Sequence, residues 1–194
     1  MDFFKQNDEQ TVPGLTPLVA ENRFISKTPD TALLPVFEEV KPRLPRPLWD
    51  GHADHIRCYW RTWELAFGNL RRPLPGTGFV SNFIDTAFNG CEFMWDSSFI
   101  LMFGKYADKI FKFQETLDNL YSHQHRDGFI CREIEEETGR DRFTRHDPSA
   151  TGPEVMPWCE WEYYLHFGDK ERLAKVFPPL MQIIQGHCAD KLPA

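Results

Sequence analysis

Two segments of this sequence, 92–103 (EFMWDSSFILMF) and 154–167 (EVMPWCEWEYYLHF), are apolar nearly all the way round a helix. A helix without a polar side has to be covered on more than one face, so it belongs to an inner layer. Three other segments, 51–70, 108–122 and 169–187, carry a one-sided stripe. In the first of these, Ile56, Tyr59, Trp60, Trp63 and Phe67 recur at helical spacing; in the second, Ile110, Phe113, Leu117 and Leu120 do so. The alternation predicts a mainly α fold of inner and outer helical layers. No strand–helix alternation and no short repeat competes with it.

The boundaries follow from capping and breaker residues. Asp50 is expected to cap 51–70, Gly104 to stop the first apolar helix and Asp108 to cap the next. Pro153 falls near the first turn of the second apolar helix. Gly168-Asp169 closes that helix and opens the last one, which Pro178-Pro179 is expected to kink. Between 124 and 147 the pattern suggests an excursion with two short strands around the turn Thr138-Gly139. Residues 1–48 hold seven of the fifteen prolines and read as an extended arm with at most one short helix near 32–40, leaving 49–194 as the helical domain.

Composition excludes several classes. With 194 residues, 41% of them hydrophobic, the chain can bury one real core. A net charge of -7 disfavours nucleic acid, which wants a basic face. No apolar run approaches the roughly 20 residues needed to span a bilayer, so no membrane partner is expected. Cys58, Cys91, Cys131, Cys159 and Cys188 are scattered and read as reduced thiols. MDFFKQNDEQ lacks a secretory pattern, and together these favour a cytoplasmic address. His52, His55 and Cys58, and the pair His123 and His125, have looser spacing than structural zinc sites use, so neither metal nor cofactor is expected. Phosphate-loop, dinucleotide and nucleophile-elbow patterns are absent from the sequence.

Three stretches carry possible chemistry. Trp95-Asp96 opens the most apolar segment behind Phe93, and a carboxylate beside an indole suits a sugar: the carboxylate accepts from adjacent hydroxyls while the ring covers a C–H face. The plain alternative makes Asp96 a helix N-cap and Trp95 core. In GFICRE, Arg132 and Glu133 stand at the end of a short strand, where alternation sends them to opposite faces, one of them toward a cleft; a surface ion pair is the alternative. RHDPSATGP, 145–153, is a loop feeding a buried helix and places His146 beside Asp147; the alternative is a turn bonded to its own backbone. The acidic run EIEEE, 133–137, reads as a solvated face.

These stretches occur in a recognisable order. FMWDSSF resembles the aromatic-Trp-Asp motif of the six-hairpin glycosidases, especially the processing α-glucosidases of glycoside hydrolase family 63 and, more distantly, trehalases. DGFICREI is similar to the G-[FW]-I-P-R-E segment of the α-glucosidase family, with Cys131 at the usual proline. HDPSATGP resembles its H-P-x-T-A-N-P-P loop, with Asp147 at the first proline and Gly152 at the asparagine. YYLHFGDKERLAKVFPPL is similar to the helix, Gly-Asp and helix that follow, so the resemblance covers about residues 80–185.

It implies an (α/α)6 toroid of helical hairpins, of which this chain covers roughly the first half. It implies inverting hydrolysis of an α-linked glucoside or related oligosaccharide, one carboxylic acid protonating the leaving oxygen and one carboxylate activating water. Phe93, Trp95, Asp96, Arg132, Glu133, His146 and Asp147 would then bind carbohydrate, while the catalytic pair stays unassigned. A complete ring asks for roughly 350 residues or more. The expectation is therefore an amino-terminal part, inactive alone, that associates with itself or with a missing carboxy-terminal half. Two other readings are a non-catalytic carbohydrate-binding domain and a helical interaction domain.

Overall fold

Ion pairing at the centre of the molecule dictates how its helices meet. The computed structural model describes residues 19–145, 147 and 154–189. In chain order they form a 3-10 turn at Phe24–Ser26, α1 (Phe37–Val40) with a 3-10 turn at Lys41–Arg43, α2 (Ala53–Gly68), β1 (Leu70–Arg71), β2 (Phe83–Ile84), β3 (Cys91–Phe93), α3 (Met94–Gly104), 3-10 turns at Lys105–Ala107 and Phe113–Glu115, α4 (Thr116–Ser122), β4 (Glu133–Glu135), α5 (Met156–Phe167) and α6 (Lys170–Ala189). The protein is mainly α. Its strands make two small antiparallel pairs, β1 with β2 and β3 with β4.

The part of the arm that is described packs on the helices. Phe24, Val40 and Leu44 join Trp63, Phe67, Leu101, Phe113, Leu120 and Val176 in one buried cluster. Asn22 donates to the Tyr121 carbonyl at 2.8 Å and to the Gln124 amide oxygen at 2.9 Å. Residues 1–18 lie outside the described residues.

α4 sits deepest. Every residue from Thr116 to Tyr121 is buried, including Asp118 and Asn119. Burying polar groups requires partners, and each has them. Asn119 accepts from the Val80 and Ser81 amides at 2.8 and 2.9 Å. Asp118 takes the Lys27 ammonium at 2.6 Å and the Arg172 guanidinium at 3.0 Å. Arg172 also grips Glu160 through Nε at 2.8 Å and Nη2 at 2.7 Å, and donates to the Gln114 carbonyl at 2.9 Å. One side chain of α6 thus ties α5, α4 and the turn before α4 together.

The layering differs from the expectation. The two apolar helices were expected inside; instead α3 and α5 pack on each other and leave Trp95, Phe99, Trp158, Trp161 and Leu165 exposed. The helix expected over 108–122 begins only at Thr116, after a 3-10 turn at Phe113–Glu115, and Asp108 does not cap it: its oxygens accept from Lys112 at 2.6 Å and Tyr163 at 3.0 Å. Asp50 does not cap α2 either; His52 occupies that position without a side-chain hydrogen bond. The first apolar segment starts as strand β3 and turns helical at Met94. In place of two strands around Thr138-Gly139 there is one, β4, bridged at Ile134 to Asp141. Gly139 has φ +71, and a Cβ there would fall 1.7 Å from the Thr77 carbonyl oxygen, so only glycine fits.

Other boundaries agree. Gly168 ends α5 in the left-handed region at φ 67, and Asp169 accepts from the Arg172 amide at 2.9 Å. α6 continues through Pro178 and Pro179, while Pro153 lies outside the described residues.

Arg172→Met should cost about 3–5 kcal/mol in urea unfolding, because it leaves Glu160 buried without its cation. Pairing it with Glu160→Leu should recover part of that loss, since Asp118 keeps Lys27. A single-variant cost below about 1 kcal/mol, the level of an exposed pair, would show that the network does not hold the helices.

Candidate functional site

The two motif segments that the sequence leaves forty residues apart are hydrogen-bonded neighbours. β3 pairs with β4 in the register Cys91 to Glu135, Glu92 to Ile134 and Phe93 to Glu133. The Met94 amide extends the ladder by donating to the Arg132 carbonyl at 2.9 Å. This edge fixes where α3 begins, and therefore where Trp95 and Asp96 emerge.

Both side chains are exposed in the first turn of α3. Phe93 holds the cap position, so Asp96 is not an N-cap, and it makes no hydrogen bond or ion pair among the described residues. Its charge gains from the helix dipole, and its oxygens stay open to a ligand. Trp95 lies 5.0 Å from Phe99, ring to ring, and Phe99 lies 5.5 Å from Trp158 of α5. With Trp161 these rings form a surface in which each is between 43% and 49% exposed. Phe93 is buried beneath the edge and meets Phe88 at 6.0 Å.

Arg132 and Glu133 do not point apart. Arg132 immediately precedes β4, and its guanidinium folds back along the strand so that Nη1 lies 2.5 Å from Glu133 Oε1. Arg142 Nε approaches the other oxygen at 3.3 Å. Glu133 is buried, and the Arg132 guanidinium stacks 4.6 Å above Phe143. The run 133–137 is accordingly not a solvated face: Glu133 is buried and Glu136 partly so, only Glu137 standing fully exposed.

In the loop, His146 lies outside the described residues. The Asp147 amide donates to the Thr144 carbonyl at 2.9 Å, as in a turn. The preceding Arg145 pairs with Asp127 and approaches His125 Nδ1 at 3.3 Å, while His125 Nε2 meets Asp141 at 2.6 Å. His123 hydrogen-bonds to the Thr77 and Asn119 carbonyls at 2.8 and 2.7 Å, and burial lowers its proton affinity. Among the described residues no cluster of histidine, cysteine and carboxylate could hold a metal ion.

Sequence reasoning missed Phe99, Trp158 and Trp161 as part of this surface. Their spacing was the available signal: Phe99 is one helical turn beyond Trp95, and Trp161 one turn beyond Trp158. It also missed the unusual carboxyls. Burial pushes Glu154, on the approach to α5, up to about 7. Burial and the neighbouring Asp85 push Glu136 up to about 7 as well. Glu160 and Glu162 serve structure: the first is held by Arg172, the second lies 3.5 Å from Lys105.

Glu133→Gln should lower stability by about 1–3 kcal/mol in urea unfolding, since it removes the charge and one of the two acceptor oxygens that face Arg132 and Arg142. A change within about 0.5 kcal/mol, as for a surface substitution, would mean that the arginines are held by Phe143 and solvent alone. The chain matches no protein family model, no curated protein and no solved structure.

Proposed function

We propose that this chain supplies one wall of a sugar pocket in an inverting α-glycoside hydrolase of the (α/α)6-toroid type. The observation that carries the proposal is the β3–β4 register, which joins the Trp95-Asp96 and Arg132-Glu133 segments along one hydrogen-bonded edge. A free carboxylate beside a half-exposed indole, extended by Phe99 and Trp158, offers a sugar both hydroxyl acceptors and a flat apolar face. Arg132 rests on Glu133 and Phe93 lies beneath, so these two residues position the edge, with Trp95 and Asp96 as the contact groups. His146 and Asp147 belong to the neighbouring loop by resemblance. The proposal assigns the chain binding and leaves the acid–base pair unassigned.

A second reading has one observation in its favour. Leu165, Phe177 and Ile184 are also exposed, and apolar surface on that scale suits packing against further helices. A helical interaction domain would use the same aromatic face without sugar.

Calorimetric titration with a panel of α-linked glucosides separates the two. Wild type should bind, and Asp96→Asn should weaken binding roughly 10–100-fold through loss of charged hydrogen bonds. Its stability should stay within about 1 kcal/mol, the scale of a helix-dipole contact. Trp95→Ala should reduce both binding and stability. A folded wild type that binds none of the glucosides sinks the sugar-pocket reading for this chain and favours the interaction domain.

A further inference from the structure

A cavity of about 530 Å³ lies between the arm, the turn before α4 and the start of α6, and no residue of the aromatic surface lines it. That volume is in the range of small-molecule sites. Charged side chains of both signs surround it in equal number.

Most of these charges are spent on one another. Lys27 uses its three protons on Asp118 at 2.6 Å, Ser81 at 2.7 Å and Glu115 at 3.1 Å. Arg172 is committed to Asp118 and Glu160, and Asp108 to Lys112 and Tyr163. The rim is different. Arg23, Glu171 and Lys175 line it and are exposed, and their side chains make no hydrogen bond or ion pair among the described residues. Glu171 and Lys175 stand one turn apart on α6, the spacing of a favourable pair, yet lie beyond ion-pair distance. Glu115 and Asp169 each keep one carboxylate oxygen open among the described residues, the other being taken by Lys27 and by the Arg172 amide.

These unused groups select the ligand. A simple anion would suit Arg23 and Lys175 but meet Glu171 and the open oxygens of Glu115 and Asp169; a simple cation would meet the reverse. A neutral polyol would leave both sets of charge uncompensated. A small molecule carrying both signs satisfies the two sets at once, through charge-assisted hydrogen bonds, which are the stronger kind. Phe24 and Tyr163 also line the cavity and give such a molecule an apolar surface to rest on.

We propose that this cavity binds a small zwitterion, a free α-amino acid with an apolar side chain, Arg23 and Lys175 taking its carboxylate and Glu115 and Glu171 its ammonium. The inference does not depend on what Trp95 and Asp96 bind.

Calorimetric titration of the full chain at neutral pH tests this, at low ionic strength because salt screens exposed charges. L-leucine should bind. N-acetyl-L-leucine, which has lost the ammonium, and L-leucinamide, which has lost the carboxylate, should each bind about tenfold or more weakly. The double variant Arg23→Ala, Lys175→Ala should weaken L-leucine by a similar factor; both residues are exposed, so the fold should stand. Glu171→Gln should weaken L-leucine but not N-acetyl-L-leucine, a split that a merely structural role for Glu171 would not give. Asp96→Asn should leave L-leucine binding unchanged. A folded chain that does not bind L-leucine overturns the proposal, and so does equal affinity for L-leucine and either blocked form. Binding of L-leucine that survives the double variant, or that Asp96→Asn removes, places the ligand elsewhere and overturns it as well. Inorganic phosphate that binds in place of L-leucine and is lost in the double variant would make the cavity an anion site instead.

Discussion

The fold depends on one buried cation. Arg172 meets Glu160 through two parallel hydrogen bonds, Asp118 through a third and the Gln114 carbonyl through a fourth. A guanidinium suits this role because its donors are rigid and planar, so satisfying it fixes the relative position of every element that contributes an acceptor. The Tyr121 hydroxyl completes Glu160 at 3.2 Å, and Lys27 brings the arm to Asp118 at 2.6 Å. Because its donors reach both Glu160 of α5 and Asp118 of α4, Arg172 fixes those two helices relative to each other through α6.

That arrangement explains which parts of the structure were legible in the sequence. The α5–α6 junction was, because Gly168 and Asp169 act through their own backbone and nearest neighbours. α4 was not. Its sequence looks like an amphipathic surface helix, yet Asp118 and Asn119 are buried because partners from residues 27, 80, 81 and 172 come to them. Tertiary pairing inverted the layering that hydrophobic periodicity alone suggests. The same cause moved the start of the 108–122 helix, where Tyr163, distant in sequence, occupies Asp108.

The candidate site divides in the same way. That Trp95 and Asp96 would stand at the head of a helix could be read locally. That Glu133 would be buried beneath two arginines could not, because β4 finds its partner strand across the whole of α3 and α4. A run of four acidic residues in five positions looks solvated by composition, and sheet pairing overrode that. The aromatic surface was half legible: each helix shows its own ring spacing, but only the packing of α3 on α5 sets Phe99 against Trp158.

The molecule thus treats buried carboxylates in two ways, and the contrast bears on function. Glu160, Asp118 and Glu133 are paired with cations, which ties the elements around them together. Glu92 has no such cation: it is fully buried, neither of its carboxyl oxygens has a hydrogen-bond partner, and burial holds it well above its ordinary value. The paired set lies under α4, α5 and α6 and at the start of β4; Glu92 lies in the middle of β3, opposite Ile134. The strand that leads to Trp95 and Asp96 is therefore fixed at its Phe93 end, where it pairs with Glu133 and where the Met94 amide donates to the Arg132 carbonyl. Any ligand of Asp96, a sugar or a helix, would meet a side chain placed by that edge and not by a contact of its own, since Asp96 makes no hydrogen bond or ion pair among the described residues.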